Sequence, residues 1–433
     1  MQKLISIGSC VALLSSFVFA EEADDPPYFS WEKPAPSEEK QPPKPVVKEP
    51  LEEARSSEEM ACYPEECCTC ISEECCCVEE CPCPEITCFT PAYYDLYADW
   101  GLFLSVDFLY WYARESSLTY AGKNEYILLG SETDPSELTL VPIEYEKIDV
   151  KWKPGVRIGL GANLPCDGWD VLAEWTYFQN SSSSTISTPV NSQPFVAGDF
   201  QLFTPWGQFA DETPRSNQVK GKWKLRWNGL DLEMGRRYWV SPKLTIRPFA
   251  GLRGGWTKTN FDITATLDEN EFAANTVLTS QETNDFENTF WGYGLVCGLA
   301  PTFYFTPCFS LFGGMDIALL WGKSKLSLDS TAFAATTDTT TGSVSLLRDF
   351  SSNASGSTFG IQPIIDLALG LRYESKFCSD RFLVAVDAGW EHHVWLHHNM
   401  RYYTNDLVVS GSGEETKHNI DFGGFVLRLR FDF

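Results

Sequence analysis

Gly424-Phe-Val-Leu-Arg-Leu-Arg-Phe-Asp-Phe433 closes the chain. Side chains alternate across a β-strand with a period of two. Phe425, Leu427, Leu429, Phe431 and Phe433 therefore share one face, and Val426, Arg428, Arg430 and Asp432 share the other. One face suits lipid and the other suits water. In a soluble protein an edge strand this apolar would template aggregation, whereas in a closed barrel it pairs with the first strand and leaves no edge. The ending predicts an all-β chain, a transmembrane antiparallel β-barrel, with Phe433 as the terminus that barrel assembly machinery would engage.

The other end points to the same compartment. Lys3 precedes an apolar run from Leu4 to Phe19 that closes on Val18-Phe19-Ala20 before Glu21-Glu22, the pattern of a secretory signal peptide over 1–20. The run is shorter than the roughly 20 apolar residues that span a bilayer and is interrupted by Gly8 and serines. Later in the chain no uncharged stretch is long enough for a membrane helix, so any crossing falls to strands.

Composition narrows the function classes. A net charge of −26 excludes a general nucleic-acid binder, which needs a basic face for phosphates. Aromatics reach 14%, alongside 31 glycines, as aromatic girdles and strand kinks would require. Between Glu21 and Cys88 stand 19 acidic and five basic residues, so over half of the net charge precedes the barrel. This stretch divides in two. Residues 21–61 carry eight prolines by Pro50 and read as an extended, disordered linker. Residues 62–88 hold ten cysteines: Cys62, Cys67, Cys68, Cys70, Cys75, Cys76, Cys77, Cys81, Cys83 and Cys88. In an oxidising compartment such thiols form disulfides, and adjacent pairs favour bridges to other chains. The Cys67/Cys70 and Cys81/Cys83 spacings also suit soft metals. No histidine accompanies them, so disulfides are the expectation, with no metal and no cofactor.

From Trp100 onward the chain alternates in about ten segments: 101–112, 150–162, 169–179, 221–238, 244–258, 289–305, 309–326, 358–373, 381–396 and 418–433. Tight turns are expected at 163–168, 239–243, 306–308 and 374–380. Long polar connections are expected at 113–149, 180–220, 259–288, 327–357 and 397–417; hairpins hidden in them would raise the strand count. Bacterial barrels turn short connections to the periplasm and long loops outward. An even strand number puts both ends of the barrel, which spans 95–433, and the cysteine-rich segment on the periplasmic side. Cys166, Cys308 and Cys378 fall in the short turns, so they share that side with the ten, while Cys297 has lipid-facing parity.

The polar parity of the strands assigns Asp107, Arg157, Glu174, Arg226, Arg247, Arg253, Asp316, Asp366, Arg372, Asp387, Arg428 and Arg430 to the lumen as pore-lining groups, together with Lys153, Lys222 and Lys224. Charges there meet water, whereas at mid-depth on the lipid face a cation costs about 2–4 kcal/mol. A ten-stranded barrel is narrow, and paired Arg and Asp could also plug it.

The opening strand Gly101-Leu-Phe-Leu-Ser-Val-Asp-Phe-Leu-Tyr-Trp-Tyr-Ala-Arg114, the motifs Trp291-Gly-Tyr-Gly294 and Trp390-Glu-His-His393, terminal Phe433 and the cysteine-rich face together resemble the major outer membrane proteins of Chlamydia-like and Legionella-type bacteria. The resemblance covers about 95–433. It implies a porin for small solutes and ions that is disulfide-crosslinked to itself, as a homo-oligomer, and to other cysteine-rich envelope proteins. The chain departs from that family at Cys62–Cys88, which is more like the small cysteine-rich envelope proteins of chlamydiae.

Two other classes compete. Some ten-stranded outer-membrane barrels are proteases with Asp and His at the outer rim, and His392, His393, His397 and His398 lie near such a rim, with His393/His397 and His392/His398 expected to share faces. The interleaved Trp390, Val394, Trp395 and Leu396 instead suit an interfacial belt, and no Ser or paired-carboxylate motif supports catalysis. The polar loops, Ser181–Asp199 and Thr331–Ser345 above all, would also suit a non-conducting surface protein or adhesin. The expectation is a non-enzymatic porin in contact with outer-membrane lipid.

Overall fold

A computed structural model describes residues 90–92, 96, 101–128, 138–164, 167–189, 197–206, 216–273, 275–406 and 412–433. The signal peptide, the linker, the Cys62–Cys88 segment and Cys166 lie outside the described residues. So does the unit Met1–Cys83; all that follows concerns the unit Pro84–Phe433.

The strands are β1 (Thr90–Pro91), β2 (Leu102–Glu115), β3 (Thr119–Leu128), β4 (Leu138–Lys147), β5 (Trp152–Asn163), β6 (Trp169–Ser187), β7 (Phe200–Phe203), β8 (Gln218–Arg236), β9 (Tyr238–Ser241), β10 (Leu244–Ala273), β11 (Thr276–Tyr304), β12 (Phe309–Asp338), β13 (Val344–Phe377), β14 (Phe382–Asp406) and β15 (Ser412–Asp432). Ten of them form one antiparallel ring in the order β2, β5, β6, β8, β10, β11, β12, β13, β14, β15. Two long-range ladders make it a barrel. β8 pairs with β10 from Gly235↔Phe249 to Gln218↔Thr266, and β15 returns to β2 from Asp432↔Phe103 to Ile420↔Glu115. The C-terminal strand thus closes on the first, as its two-faced pattern requires: Leu427 and Leu429 are exposed outward while Val426 and Asp432 are buried inside.

Each of the ten alternating segments lies on one ring strand to within one or two residues at its ends, 221–238 running past β8 into β9, but several strands extend much further on the side away from the short turns. The stretches 259–288, 327–357 and 397–417 are largely strand rather than loop. β10 and β11 run on to a turn at Asn275, and β12 and β13 meet at 339–343. In that second turn Asp338 accepts the amides of Thr340 and Thr341, which hold its carboxyl below the usual range. Ser, Thr and Asn mask these extensions in the sequence because outside the bilayer the outer face of a strand can be polar. The connections 113–149 and 180–220 contain a separate three-stranded sheet, β4-β3-β7. It adds no strand to the ring and packs on the inner wall at the mouth. Tyr120 occupies the space where a β-carbon on Gly221 would lie, at 2.6 Å, so this wall position accepts only glycine without displacing the ring. Burial, with Glu146 and Asp149 nearby, pushes the Tyr120 phenol up to about 12.

The tight turns gather at one end with the chain entry at Gly101 and the exit at Phe433, whose amide donates to Leu102 O at 2.9 Å. Cys308 and Cys378 lie in two of these turns, and both are exposed.

Deleting 424–433 strips the membrane-depth partner from both β2 and β14, from Trp111 to Phe103 and from Glu391 to Leu383. The truncated chain is expected to lose the heat-modifiable gel migration of a closed barrel; a truncation that still migrates as a compact, heat-modifiable species would contradict closure through β15.

Candidate functional site

The interior of the barrel has two storeys of opposite polarity. Towards the short-turn end the wall faces inward with charge. Asp107 on β2 accepts from Arg428 on β15 at 2.7 to 3.0 Å and from Arg157 on β5 at 3.2 Å. Arg157 also grips Glu391 on β14 with both terminal nitrogens, at 3.0 and 2.8 Å, and lies 3.2 Å from Glu174 on β6. Across the lumen Arg253 on β10 holds Asp231 at 2.6 Å, Asp366 at 2.5 Å and Asp316 at 3.2 Å. Arg247 joins Asp170 and Glu233 at 2.6 and 3.1 Å. Arg372 forks onto Asp387, and Arg430 onto Asp432, each through two bonds of 2.7 Å. Such bidentate pairs bring orientation as well as charge neutralisation. Within this array lies a cavity of about 220 Å³, lined by eight carboxylates and seven guanidiniums, with Asp107 and Asp432 buried behind them.

Above the cavity the interior turns apolar. Trp111, Phe178, Trp223, Trp227, Phe261, Phe286, Phe290, Trp395 and Phe422 are buried in one cluster that also takes in Leu118, Tyr120, Leu202 and Trp206 from the mouth sheet and its flanking segments. Ring centroids lie 4.9 Å apart for Trp227 and Phe422 and 5.5 Å for Trp111 and Phe178, the spacing of packed aromatic pairs. His393 sits at the boundary. Its Nδ1 is 2.8 Å from Asp366 and its ring is 4.8 Å from that of Trp111. Higher still, Arg401 pairs with buried Glu115 at 2.5 Å and lies over the rings of Phe261 and Trp206 at 4.3 and 5.0 Å. In the described structure aromatics fill the lumen on the side away from the short turns.

The outer face reverses in step. Leu230, Leu232, Met234, Leu252, Leu295, Leu319, Leu369 and Leu429 are exposed around the charged storey, as lipid contact requires, and an aromatic girdle of Tyr110, Trp152, Trp175, Trp256, Trp291, Tyr293, Trp321 and Trp390 marks its upper edge. Beyond the girdle the outer face carries charged residues such as Lys258, Asp285, Lys325 and Asp329, with Phe333 and Phe359 exposed among them.

Ten of the twelve lumen candidates line the cavity: Arg157, Glu174, Arg247, Arg253, Asp316, Asp366, Arg372, Asp387, Arg428 and Arg430. Asp107 lies behind them. Arg226 is a correction, for it points out of the barrel, exposed, between buried Leu225 and Trp227. Lys222 and Lys224 share its outward parity. On β8 the assumption that polar means inward picks the wrong face, because the strand crosses the girdle and its amphipathy inverts there. The same misassignment hid Asp231 and Glu233, which line the cavity. Asp170 and Glu391 were also missed, although each shares the inward parity of a residue that was found, Glu174 on β6 and Asp387 on β14. The histidines are corrected too. A bulge between Trp395 and Asn399, with His397 at φ 51°, breaks the alternation. His393 and His398 therefore face inward, His398 against Thr257 and Gln362 at 2.6 and 2.9 Å. His392 contacts Tyr112 instead, and His397 is exposed. Cys297 keeps its outward parity.

Among curated proteins no sequence matches. A family model described as "Legionella pneumophila major outer membrane protein precursor" matches residues 98–433. Similar solved structures include the outer membrane protease OmpT from Escherichia coli, with 10% identity, 81% of this chain and 99% of that one covered and a TM-score of 0.31. The toluene transporter TodX from Pseudomonas putida has 8% identity, 77% and 90% coverage and a TM-score of 0.27. A Pseudomonas aeruginosa FadL homologue has 9% identity, 77% and 90% coverage and a TM-score of 0.26.

Replacing Arg157 with Ala leaves the buried carboxylates of Glu391 and Glu174 short of a cation and is expected to cost about 3–5 kcal/mol of stability. Arg226→Ala, on the outer face, is expected to stay within about 0.5 kcal/mol. Urea unfolding of the two variants in detergent micelles measures the contrast, and equal losses would refute the inward and outward assignments.

Proposed function

The chain belongs to the Legionella major outer membrane protein family, a bacterial outer-membrane barrel, and on that premise we propose that it is a narrow, gated porin for small cations and polar solutes. The observation that carries this reading is the charged cavity. Carboxylates outnumber guanidiniums in its lining, eight to seven, with Asp107 and Asp432 buried behind them and His393 as a further group that can carry positive charge. A lumen with that balance attracts cations and repels anions through its field. The aromatic storey above it is the gate: solutes pass when Trp227, Trp395 and the mouth sheet give way. No residue is assigned a covalent reaction.

The aromatic filling also favours a second reading, a non-conducting structural surface barrel. Conductance in a planar bilayer separates the two. The wild-type chain is expected to show small, cation-preferring openings, and the double variant W227A/W395A to conduct several-fold more. Absence of current from both, with the barrel folded, would favour the structural reading.

Crosslinking forms part of the proposal. Exposed Cys308 and Cys378 at the short-turn end support it, since bacterial barrels turn that end to the periplasm, where thiols are oxidised. Non-reducing gels of envelopes are expected to show high-mass species that collapse on reduction, diminish in C308S/C378S and vanish when 62–88 is also deleted. Monomer under every condition would end the crosslinking proposal while leaving the porin proposal intact.

A further inference from the structure

The outward turn of Arg226 has neighbours. In the antiparallel register Gln179, Arg226, Lys258, Thr289, Lys325 and Ser357 form one cross-strand row over β6, β8, β10, β11, β12 and β13. The residues of such a row project from the same face, and exposed Gln179, Arg226, Lys258 and Lys325 set that face as the outer one. Lys224 and Lys222 follow Arg226 on the same face of β8, and Lys323 precedes Lys325 on β12, its ammonium 5.5 Å from the ring centroid of Phe359. Six cations thus share one flank. Lys258 has a carboxylate in contact, Glu287 at 2.8 Å, whereas Lys222, Lys224, Arg226 and Lys325 have none within ion-pair distance among the described residues.

The arrangement is locally unfavourable. Arg226 and Lys258 stand directly opposite each other, and like charges so placed destabilise a sheet; Glu287 offsets Lys258 and is drawn on by Lys325 as well, which leaves Arg226 facing a cation with no counter-charge of its own. Elsewhere around the ring the equivalent positions are mixed. Arg114 is neutralised by Asp421 at 3.0 Å, His392 meets Tyr112, and β6 and β13 offer Gln179 and Ser357.

Depth identifies the anion. Lys258 is two residues beyond girdle Trp256, and Lys323 and Lys325 are two and four beyond girdle Trp321. Two residues span about 6.8 Å of strand, or about 5 Å along the membrane normal at the usual barrel tilt of roughly 40°. The headgroup layer above the hydrocarbon is about 5–7 Å deep on each side. Lys258 and Lys323 therefore stand at headgroup depth, directly above a ring of interfacial tryptophans, and Lys325, about 10 Å above the girdle by the same measure, stands at the upper edge of that layer, from which its long side chain can turn down towards a phosphate. Two positions beyond Lys224, the row Lys222, Asp262, Asp285, Asp329 turns acidic and bounds the patch above. Burial and the flanking Asp262 and Asp329 carboxylates hold Asp285 above the usual carboxylate range.

We propose that the outer face of β8, β10 and β12 is a binding site for the phosphate-bearing headgroup of an outer-leaflet lipid, with Arg226, Lys258 and Lys325 as its principal contacts. Phosphate oxygens between Arg226 and Lys258 supply the counter-charge that Glu287, held by Lys258, leaves Arg226 without, Lys325 takes a second phosphate of the same or a neighbouring headgroup, and the acyl chains lie along Trp256, Trp291 and the leucines below. The site fixes one flank of the barrel to its lipid and is independent of conduction through the lumen.

The test uses the full chain in neutral detergent, with native mass spectrometry reading the lipid retained per barrel. The probes are a bis-phosphorylated glucosamine lipid, its phosphate-free form and inorganic phosphate. The wild-type chain is expected to retain the phosphorylated lipid in preference to the phosphate-free one. Each cation near an anionic lipid surface is worth about fivefold in affinity, so R226Q or K325Q alone should weaken binding about fivefold and the triple variant R226Q/K258Q/K325Q at least about thirtyfold. The charge-conserving R226K/K258R/K325R should keep most of it. Heat-modifiable migration checks folding, and the single variants keep the test open should the triple variant not fold. Equal retention of the two lipids, or full retention by R226Q and K325Q, would overturn the site. Displacement by low-millimolar inorganic phosphate would reassign it to a free anion and overturn the lipid.

Discussion

Everything in this barrel follows from the requirement that no backbone amide or carbonyl be left unpaired in hydrocarbon, and the ladder between β15 and β2 is where the ring meets it last. Val426↔Leu109 and Arg428↔Asp107 join residues more than 300 positions apart. Register there is decided by two demands at once. Leu427 and Leu429 must stay in lipid, and Arg428 must reach Asp107, which it does at 2.7 Å. A slip of one residue would reverse both, placing a guanidinium in hydrocarbon and a leucine against buried carboxylates. The lumen ion pairs therefore specify closure as well as satisfying charge.

The polarity inversion at the girdle is the second consequence of the solvent. Inside the bilayer water is available only in the lumen, so charge goes inward and leucine outward. Above the girdle water surrounds the outer wall, and nothing forbids the opposite arrangement. β8 carries both in a single strand: Leu230, Leu232 and Met234 face lipid below, while Arg226, Lys224 and Lys222 share their parity above. Trp223, Leu225 and Trp227 then have the interior to fill. A strand that passes from one solvent to another keeps its period of two and exchanges the meaning of its faces.

That exchange decides how much could be read beforehand. The ring strands were legible because their membrane-depth parts alternate strongly, as in 221–238 and 418–433, and the short turns because proline, glycine and aspartate punctuate them at Pro165, Asp167 and Gly168. Most lumen charges followed from parity. What stayed hidden had physical cover. Asp231 and Glu233 were masked by the cations of the same strand, the β10, β11, β12 and β13 extensions by their Ser and Thr, and the mouth sheet by its local pairing in a separate register. The phase of His397 and His398 was lost to one bulge, because alternation carries no signal across an inserted residue.

The two storeys are linked through His393. It touches Asp366 below and Trp111 above, so it belongs to the ion-pair array and to the aromatic packing at once. Arg157, bound to Asp107, Glu174 and Glu391, also lies 5.5 Å from the ring centroid of Trp111. The charged storey and the aromatic packing are therefore in direct contact through these two residues. The same closeness explains why the largest side chains of the filling are aromatic, with Leu109, Ile263, Leu320 and Ile364 packed among them. The face of an indole accepts a guanidinium at its boundary, which an aliphatic side chain does not, and an interior that passes from ion pairs to hydrophobic core within one side chain's length needs residues that serve both.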